Sequence, residues 1–492
     1  MKKLIKLVSL ILALIMIVAT FAACGKKDDD NSKKPAASTP SQSEDGDKVP
    51  DIEVIDWEGA EYRILGKDHS QYDIFTSFEV WREGEVPEDV VGKAVWERNQ
   101  DMSLNYGINV VGYLKQDCNS VASLMLSSGE DIYDLMLLSP EAFNPFAMKG
   151  DLCDIYELDY VNIEHEAWMP YSNEQLTMGD RLYYTTNKFL IQDKNRYWGM
   201  FYNRDMANEL NLGHFEDFVF DGTWTIDKVI ELAKMGTFEL DGQQGLGKRD
   251  NWGVCSYEYY NFVQLAFGVG FRFTDFGADG YPVLLGANND IMSRLDEMFR
   301  LTANTDILWN DERYGDMSTT DSSVKMFYSE RALMFIGSLS TLQEIGSMVD
   351  FKFGVLPNPK YNERQDMYYT IPNLVNGSLL GVPATVVDKM FAGYALELIS
   401  EKSVNTSYYA FIEKNCKLQK IYDEDSARCL ELIYEGVVYD IAFVSDLGGI
   451  GTTFWKNVVG MKTNTYKRIY GSNQSRVETA IKEIKDAYAA LE

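Results

Sequence analysis

Three stretches of the chain set large aromatic rings beside groups that donate and accept hydrogen bonds. Arg196, Tyr197 and Trp198 adjoin in NRYWGMFYN, Tyr257, Tyr259 and Tyr260 cluster in CSYEYYN, and Phe454 and Trp455 adjoin in GTTFWKN. A flat ring packs against the C–H face of a pyranose while neighbouring Asp, Asn, Arg and Ser groups pair with its hydroxyls, so such clusters suit the recognition of a polyhydroxylated solute. Aromatic residues make up 13% of the chain, more than a core alone requires. Each cluster also has a plainer reading as core, because large rings are mostly buried.

Bond-breaking chemistry finds less support. The histidines are His69, His165 and His214, without an H-E-x-x-H helix, and G-x-S-x-G is absent. Metallohydrolase and serine-hydrolase sites therefore fail on residue content. Cys118, Cys153, Cys255, Cys416 and Cys429 are scattered without C-x-x-C. They read as buried free thiols rather than a metal site, with a Cys416–Cys429 pair as the alternative. No G-x-x-x-x-G-K-[ST] is present, so no nucleotide hydrolysis of that type is expected, and no cofactor. The 75 acidic residues guarantee carboxylate pairs and so decide nothing about glycoside hydrolysis. A formal net charge of −29 disfavours nucleic acid and anionic headgroups as partners.

These groups need a scaffold. Tyr62–Leu65 reads as a strand ended by Gly66, and residues 90–106 as a helix with Val91, Ala94, Val95 and Met102 on one face and Gly107 as its stop. Ile108–Leu114 reads as a second strand, and the apolar run Asp134–Leu138 as a strand buried on both faces. Strand–helix–strand alternation predicts an α/β fold with a mainly parallel sheet. Ligands of such sheets gather at the carboxyl ends of strands, which makes Lys67, Asp68, Ser139 and Pro140 candidates. Thr225 is placed to cap a helix with Ile226, Val229, Ile230 and Ala233 on its apolar stripe. Ser475 and Glu478 have capping-box spacing before a face of Val477, Ala480, Ile481, Ile484 and Leu491. About 440 residues beyond position 50 are comfortable for two lobes.

The N-terminus has a separate logic. Lys2, Lys3 and Lys6 precede an apolar run from Leu7 to Phe21, and Ala22-Ala23 stand directly before Cys24-Gly25. The segment 1–23 resembles a bacterial lipoprotein signal, which implies cleavage before Cys24 and lipidation of its sulfur; Phe21 replaces the usual Leu. An uncleaved anchor or plain signal peptide fits less well, the run being short for a span of ~20 apolar residues. Cleavage removes three lysines and no acids, moving the formal charge to −32. Residues 24–50 are polar and rich in Lys, Asp, Ser and Pro, a composition that stays disordered and tethers across roughly 25–30 Å.

Beyond the tether, DIYDLMLLSPEAFNPFAMKGDLCDI, LTMGDRLYYTTNKF, WGMFYNRDMANEL, DGTWTIDKVIELAK, ERALMFIGSLSTL, FKFGVLPNPKYNERQDMYYTIP and GVPATVVDKMFAGYALELIS occur in that order. The series, from about residue 60 to 490, resembles the family 1 extracellular solute-binding proteins of ABC importers, in the long form common in Gram-positive lipoproteins and on the carbohydrate-uptake branch. The resemblance implies a two-lobe type II periplasmic-binding-protein fold with the ligand in an interlobe cleft. It places an N-terminal lobe at 51–182 and 372–412, a C-terminal lobe at 183–371 and 413–492, and crossings near Tyr183–Arg196 and Tyr368–Asn376. It makes Trp455 a stacking tryptophan of the maltose type and puts Ser338 in a small-residue turn at the site. Asn187 stands where many relatives have an acid, which argues against assuming the same ligand. Where relatives carry an acidic calcium loop this chain has ELDGQQGLGKRDNWG, and no metal is expected. The resemblance implies a monomeric protein whose partners are a carbohydrate and the two transmembrane subunits of an ABC permease with its own ATPases; the membrane is reached only through the lipid. Two rival functions are a tethered extracellular glycoside hydrolase, needing carboxylates ~5–9.5 Å apart across a cleft, and a sugar-sensing partner of a signalling receptor.

Overall fold

The computed structural model describes residues 52–491 apart from 69–75, 81–85, 257–261, 311–322, 343–347, 374–376, 414–422 and 462. Cys24, the signal and tether, Tyr257, Tyr259, Tyr260 and Cys416 thus lie outside the described residues. No helix among the described residues is long and apolar enough to cross a membrane.

The chain opens with β1 (Ala60–Lys67), which runs through Gly66 rather than ending there. A Cβ on Gly66 would stand 3.0 Å from the side chains of Leu114 and Ser77, so the glycine reports close packing, not a turn. α1 (Val90–Tyr106) forms where the spacing places it: Asp89 Oδ1 accepts from the Gly92 amide at 2.7 Å, and Gly107 ends the helix at φ +62°. β2 (Ile108–Lys115), α2 (Cys118–Ser128), β3 (Leu135–Leu138) and α3 (Pro140–Ala147) follow. β1 pairs in parallel with both β2 and β3.

After Thr185, which still bridges to the first sheet at Leu380, the chain crosses through one helical turn, Ile191–Lys194, and starts a second sheet. Its elements are β4 (Trp198–Asn203), α4 (Ile226–Met235), β5 (Trp252–Ser256), α5 (Val263–Gly268), the hairpin β6 (Thr274–Phe276) and β7 (Pro282–Leu284), then β8 (Leu308–Asn310), β9 (Ala332–Ser338) and β10 (Phe353–Leu356). The order β10-β4-β9-β5-β8 is mixed, with β5 parallel to β8 and β9 but β4 antiparallel to β9 and β10. β11 (Leu379–Gly381) then returns to the first sheet, antiparallel to β3, giving the order β11-β3-β1-β2. The departure from a mainly parallel arrangement has a simple cause. A strand entered from the other lobe begins at the edge where its neighbours end, and both β4 and β11 are entered that way.

α6 (Lys389–Ser403) packs near the first sheet, and α7 (Ile450–Phe454) and α8 (Tyr466–Ala490) close the chain. Thr225 caps α4 as expected, its hydroxyl accepting from the Lys228 amide at 3.4 Å. The Ser475–Glu478 capping box is not formed, because α8 starts at Tyr466 and both residues lie inside it; Glu478 instead accepts from Gln474 Nε2. Val477, Ile481 and Ile484 are buried as their spacing demands, while Leu491 is part-exposed. The far end of α8 reaches the region of the first sheet: Leu491 packs on Gly150, Tyr488 meets Tyr183 edge to face at 5.1 Å, and Arg181 donates to the Tyr488 carbonyl at 3.3 Å. Cys118, Cys153, Cys255 and Cys429 are buried free thiols.

α6 also carries Glu397 and Glu401, one turn apart and buried. Glu397 Oε2 accepts from the Asn162 amide and Trp168 Nε1, both at 2.9 Å, and Glu401 Oε2 accepts from the Ile52 amide at 3.4 Å. With His165 they form the metal-sized group of ligand atoms found among the described residues. His165 Nδ1, however, accepts the Ala167 amide at 3.1 Å, which leaves the proton of the neutral ring on its other nitrogen. Burial, with Glu401 adding, pushes the Glu397 carboxyl up to about 8. The folded chain keeps a proton that the unfolded chain releases above ~4.3, so this contribution to stability is present at low pH and lost as pH rises toward 8. Glu397→Gln, fixed in the neutral form, should gain about 2–4 °C on the wild type between pH 5 and pH 8 in melting scans; parallel curves would contradict a proton retained on Glu397.

Candidate functional site

Both sheets turn their strand ends toward one cleft of about 580 Å³, within the usual range for a small-molecule site. Its floor is the pair of crossings. The Asn373 amide donates to the Arg196 carbonyl at 3.2 Å, and Thr370 Oγ1 donates to the Trp198 carbonyl at 2.8 Å. Beneath them, Asp193 Oδ2 accepts from Thr186, Tyr197 and Tyr439 hydroxyls at 3.0–3.2 Å. Lys194 Nζ donates to Thr186 Oγ1 at 2.8 Å and to the Asn187 carbonyl at 2.7 Å. Burial pulls the Lys194 ammonium down to about 8, against the pull of Asp193 and Glu79.

One wall comes from the first lobe. Glu141, in the first turn of α3, faces the cleft. Burial raises its carboxyl, Lys67 opposes that shift, and Asp446 on the opposite wall adds to it. Lys67 Nζ donates to the Gly377 carbonyl at 2.6 Å, and burial lowers its ammonium. The other wall is built by Trp198 at the start of β4, by Gln264 of α5, and by the segment from Phe443 to Lys456. Asp440 fixes that segment: its carboxylate caps the turn at the Ala442 amide (3.0 Å) and binds the Phe273 and Thr274 amides of the hairpin at 2.7 and 3.1 Å. Next comes a left-handed bend at Asp446, Gly448 and Gly449 (φ +44°, +57° and +73°). Asp446 accepts from the Thr452 amide and hydroxyl at 2.8 and 2.7 Å, holding α7 so that Trp455 stands half-exposed at the cleft with Lys456 Nζ 5.1 Å from its ring centre.

The sequence candidates separate accordingly. Trp198 and Trp455 line the cleft together. Ser338 ends β9 paired with Trp198, at the same edge, with its hydroxyl against Ser340. Lys67 sits behind Glu141. Asp68 is half-buried beyond β1, its amide bound to the Lys115 carbonyl at 2.9 Å, and is not in the lining. Ser139 is buried with its amide on Asn119 Oδ1 at 3.2 Å; the cleft-facing group is Glu141, two residues later. Asn187, Arg196 and Tyr197 are core residues of the crossing. Asn187 bonds to Ser400 Oγ at 2.7 Å and the Phe189 amide at 3.0 Å, the Arg196 guanidinium lies against Gln192 Oε1 at 3.3 Å, and Tyr197 is spent on Asp193 and Tyr439. Tyr257 and Tyr259 lie outside the described residues. Glu141, Gln264, Asn373 and Asp446 are additions. The strand-end rule stopped just short of Glu141, and the Asp-Leu-Gly-Gly run signalled the bend that presents Asp446. In the ELDGQQGLGKRDNWG loop, Asp250 accepts from the Leu240, Asp241 and Gly247 amides, and Asp241 pairs with Arg249 at 3.0 Å.

Among solved structures the chain is similar to the ABC substrate-binding protein Lmo0181 of Listeria monocytogenes in complex with cycloalternan, at 14% identity, TM-score 0.53, over 85% of this chain and 98% of that one. The chain has the fold of such binding proteins. It is similar also to UspC of M. tuberculosis (12%, TM-score 0.51, 85% and 100%) and to a cyclo/maltodextrin-binding protein complexed with maltotetraose (12%, TM-score 0.53, 87% and 96%). No protein-family model matches the chain, and no curated protein matches it in sequence. The likeness spans nearly the whole of each neighbour and both sheets of this fold, a two-lobe α/β architecture.

The bend at Gly448 gives a test of how Trp455 is held. A Cβ on Gly448 would stand 2.8 Å from the Val477 amide nitrogen in α8. Gly448→Ala should cost about 1–3 kcal/mol in denaturant unfolding, whereas Trp455→Ala, half-exposed, should leave the midpoint nearly unchanged.

Proposed function

We propose that this chain is the cell-surface binding component of an ABC importer, capturing a carbohydrate of oligosaccharide size between its lobes and presenting it to a permease. The observation that carries the reading is the cleft itself, at the carboxyl edges of two sheets, with Trp198 and Trp455 among carboxylate and amide groups. That combination offers rings to C–H faces and acceptors to hydroxyls. The structural neighbours include proteins solved with cycloalternan and with maltotetraose, which supports a neutral oligosaccharide. Ligand touching both walls favours the closed arrangement by its greater affinity for it. The lobes are assigned to 51–182 with 372–412 and to 183–371 with 413–492, and the protein acts as a monomer without catalysis. The family 1 label and the lipid on Cys24 belong to this reading, as does placement on the outer face of the cell membrane.

A thermal-shift screen over a sugar library tests it, since a ligand of the native state raises the melting point. Trp455→Ala should weaken the best hit by about tenfold, equivalent to about 1.4 kcal/mol, and an unchanged Kd removes Trp455 from the site. Robust turnover of chromogenic glycosides would instead favour the tethered hydrolase. Cys24→Ser should release the protein from the membrane fraction into the medium; retention on the membrane would argue for an uncleaved anchor.

A further inference from the structure

Gln264 is unusual among the residues of the cleft wall. It lies in α5, is 1% exposed, and its backbone carbonyl accepts from Asn358 Nδ2 at 3.5 Å. Neither Nε2 nor Oε1 of its side chain has a hydrogen-bond partner among the described residues. Its neighbours along the cleft, Trp198, Val263, Ile371 and Phe443, present mostly apolar surface. Buried side-chain amides are nearly always paired, because an unpaired one forfeits its hydration without return. A protein interior that tolerates such a group at the mouth of a binding cleft leaves its donor and acceptor for something that enters.

We infer that Gln264 is the specificity-determining residue of the cleft and that it reads two adjacent hydroxyls of a neutral sugar. This inference rests on the carbohydrate reading above. The amide sets one acceptor and donors side by side in a single plane. A vicinal diol matches it, one hydroxyl donating to Oε1 while the other accepts from Nε2. A ligand carboxylate or phosphate satisfies only the donor, and an ammonium only the acceptor, so each leaves half of a buried amide unpaired. Sites of this kind reject mismatched ligands strongly, since the penalty falls on the protein's own stranded group. The selected class is therefore an uncharged, hydroxyl-bearing sugar rather than a uronate, sugar phosphate or amino sugar.

The test is Gln264→Met, close in shape and apolar, measured in the whole protein with a panel of neutral tetrasaccharides that includes maltotetraose. Titration calorimetry reads affinity, and melting of the unliganded protein reads stability. The expected result is an affinity loss of at least about tenfold, together with an unliganded melting point at or above that of the wild type. A structural glutamine would give the opposite pairing, so a Gln264→Met protein that melts several degrees lower overturns the inference. Affinity within twofold of wild type overturns it as well, leaving the carbohydrate reading intact. Wild-type protein that binds no member of the panel overturns that reading and this assignment with it.

Discussion

The cleft depends on two crossing segments being held side by side, and buried charge does the holding. Asp193 and Lys194 sit next to one another in the first crossing, both almost fully withdrawn from water, 3.9 Å apart. An ion pair this deep brings little net stability by itself, because desolvation offsets attraction. It is tolerable here because hydroxyls from Thr186, Tyr197 and Tyr439 and the Asn187 carbonyl satisfy the remaining donors and acceptors. Such a network tolerates one geometry and penalises others. The crossing is therefore stiff in its middle.

That stiffness explains why the groups facing the cleft come from so many parts of the chain. Glu141 belongs to the first lobe, Trp198 and Gln264 to the second, Asn373 to the return crossing, and Asp446 and Trp455 to the C-terminal segment. Each is placed by a local device: a strand end, a short helix, a carboxylate-bound turn or a left-handed bend. Asp440 is the clearest of these, since one carboxylate ties the C-terminal segment to the hairpin of the second lobe. What the cleft offers is acceptors, amides and rings around an open volume.

Much of the scaffold was legible in the sequence. α1 and its Gly107 stop, β3 and the Thr225 cap follow from periodicity and capping alone. The direction of β4 and β11 was not, because it is set by where the chain enters each sheet, a non-local property. Ser475 misled for a related reason: a Ser three residues before a Glu fits any helix surface as well as a cap. Within the site, Trp198 and Trp455 could be singled out by type, but their neighbours Arg196 and Tyr197 could not be told apart from them. Arg196 and Tyr197 belong to the turn between the crossing helix and β4, and only the fold shows that this turn is packed inward while Trp198, the first residue of the strand, reaches the cleft. Gln264 had no signal of its own, being one polar residue in an apolar run whose meaning comes only from the lack of a partner.

Finally, the last helix spans more than one body. Its middle packs against the backbone at Gly448, beside the segment that carries Trp455, and its far end rests on Gly150 and Tyr183 near the first sheet. Besides the segments of chain that pass between the two halves, this helix touches both and forms a further link between them. Shortening the helix from its C-terminal end would therefore remove one brace between the first sheet and the segment that carries Trp455, while leaving every cleft-lining side chain in place.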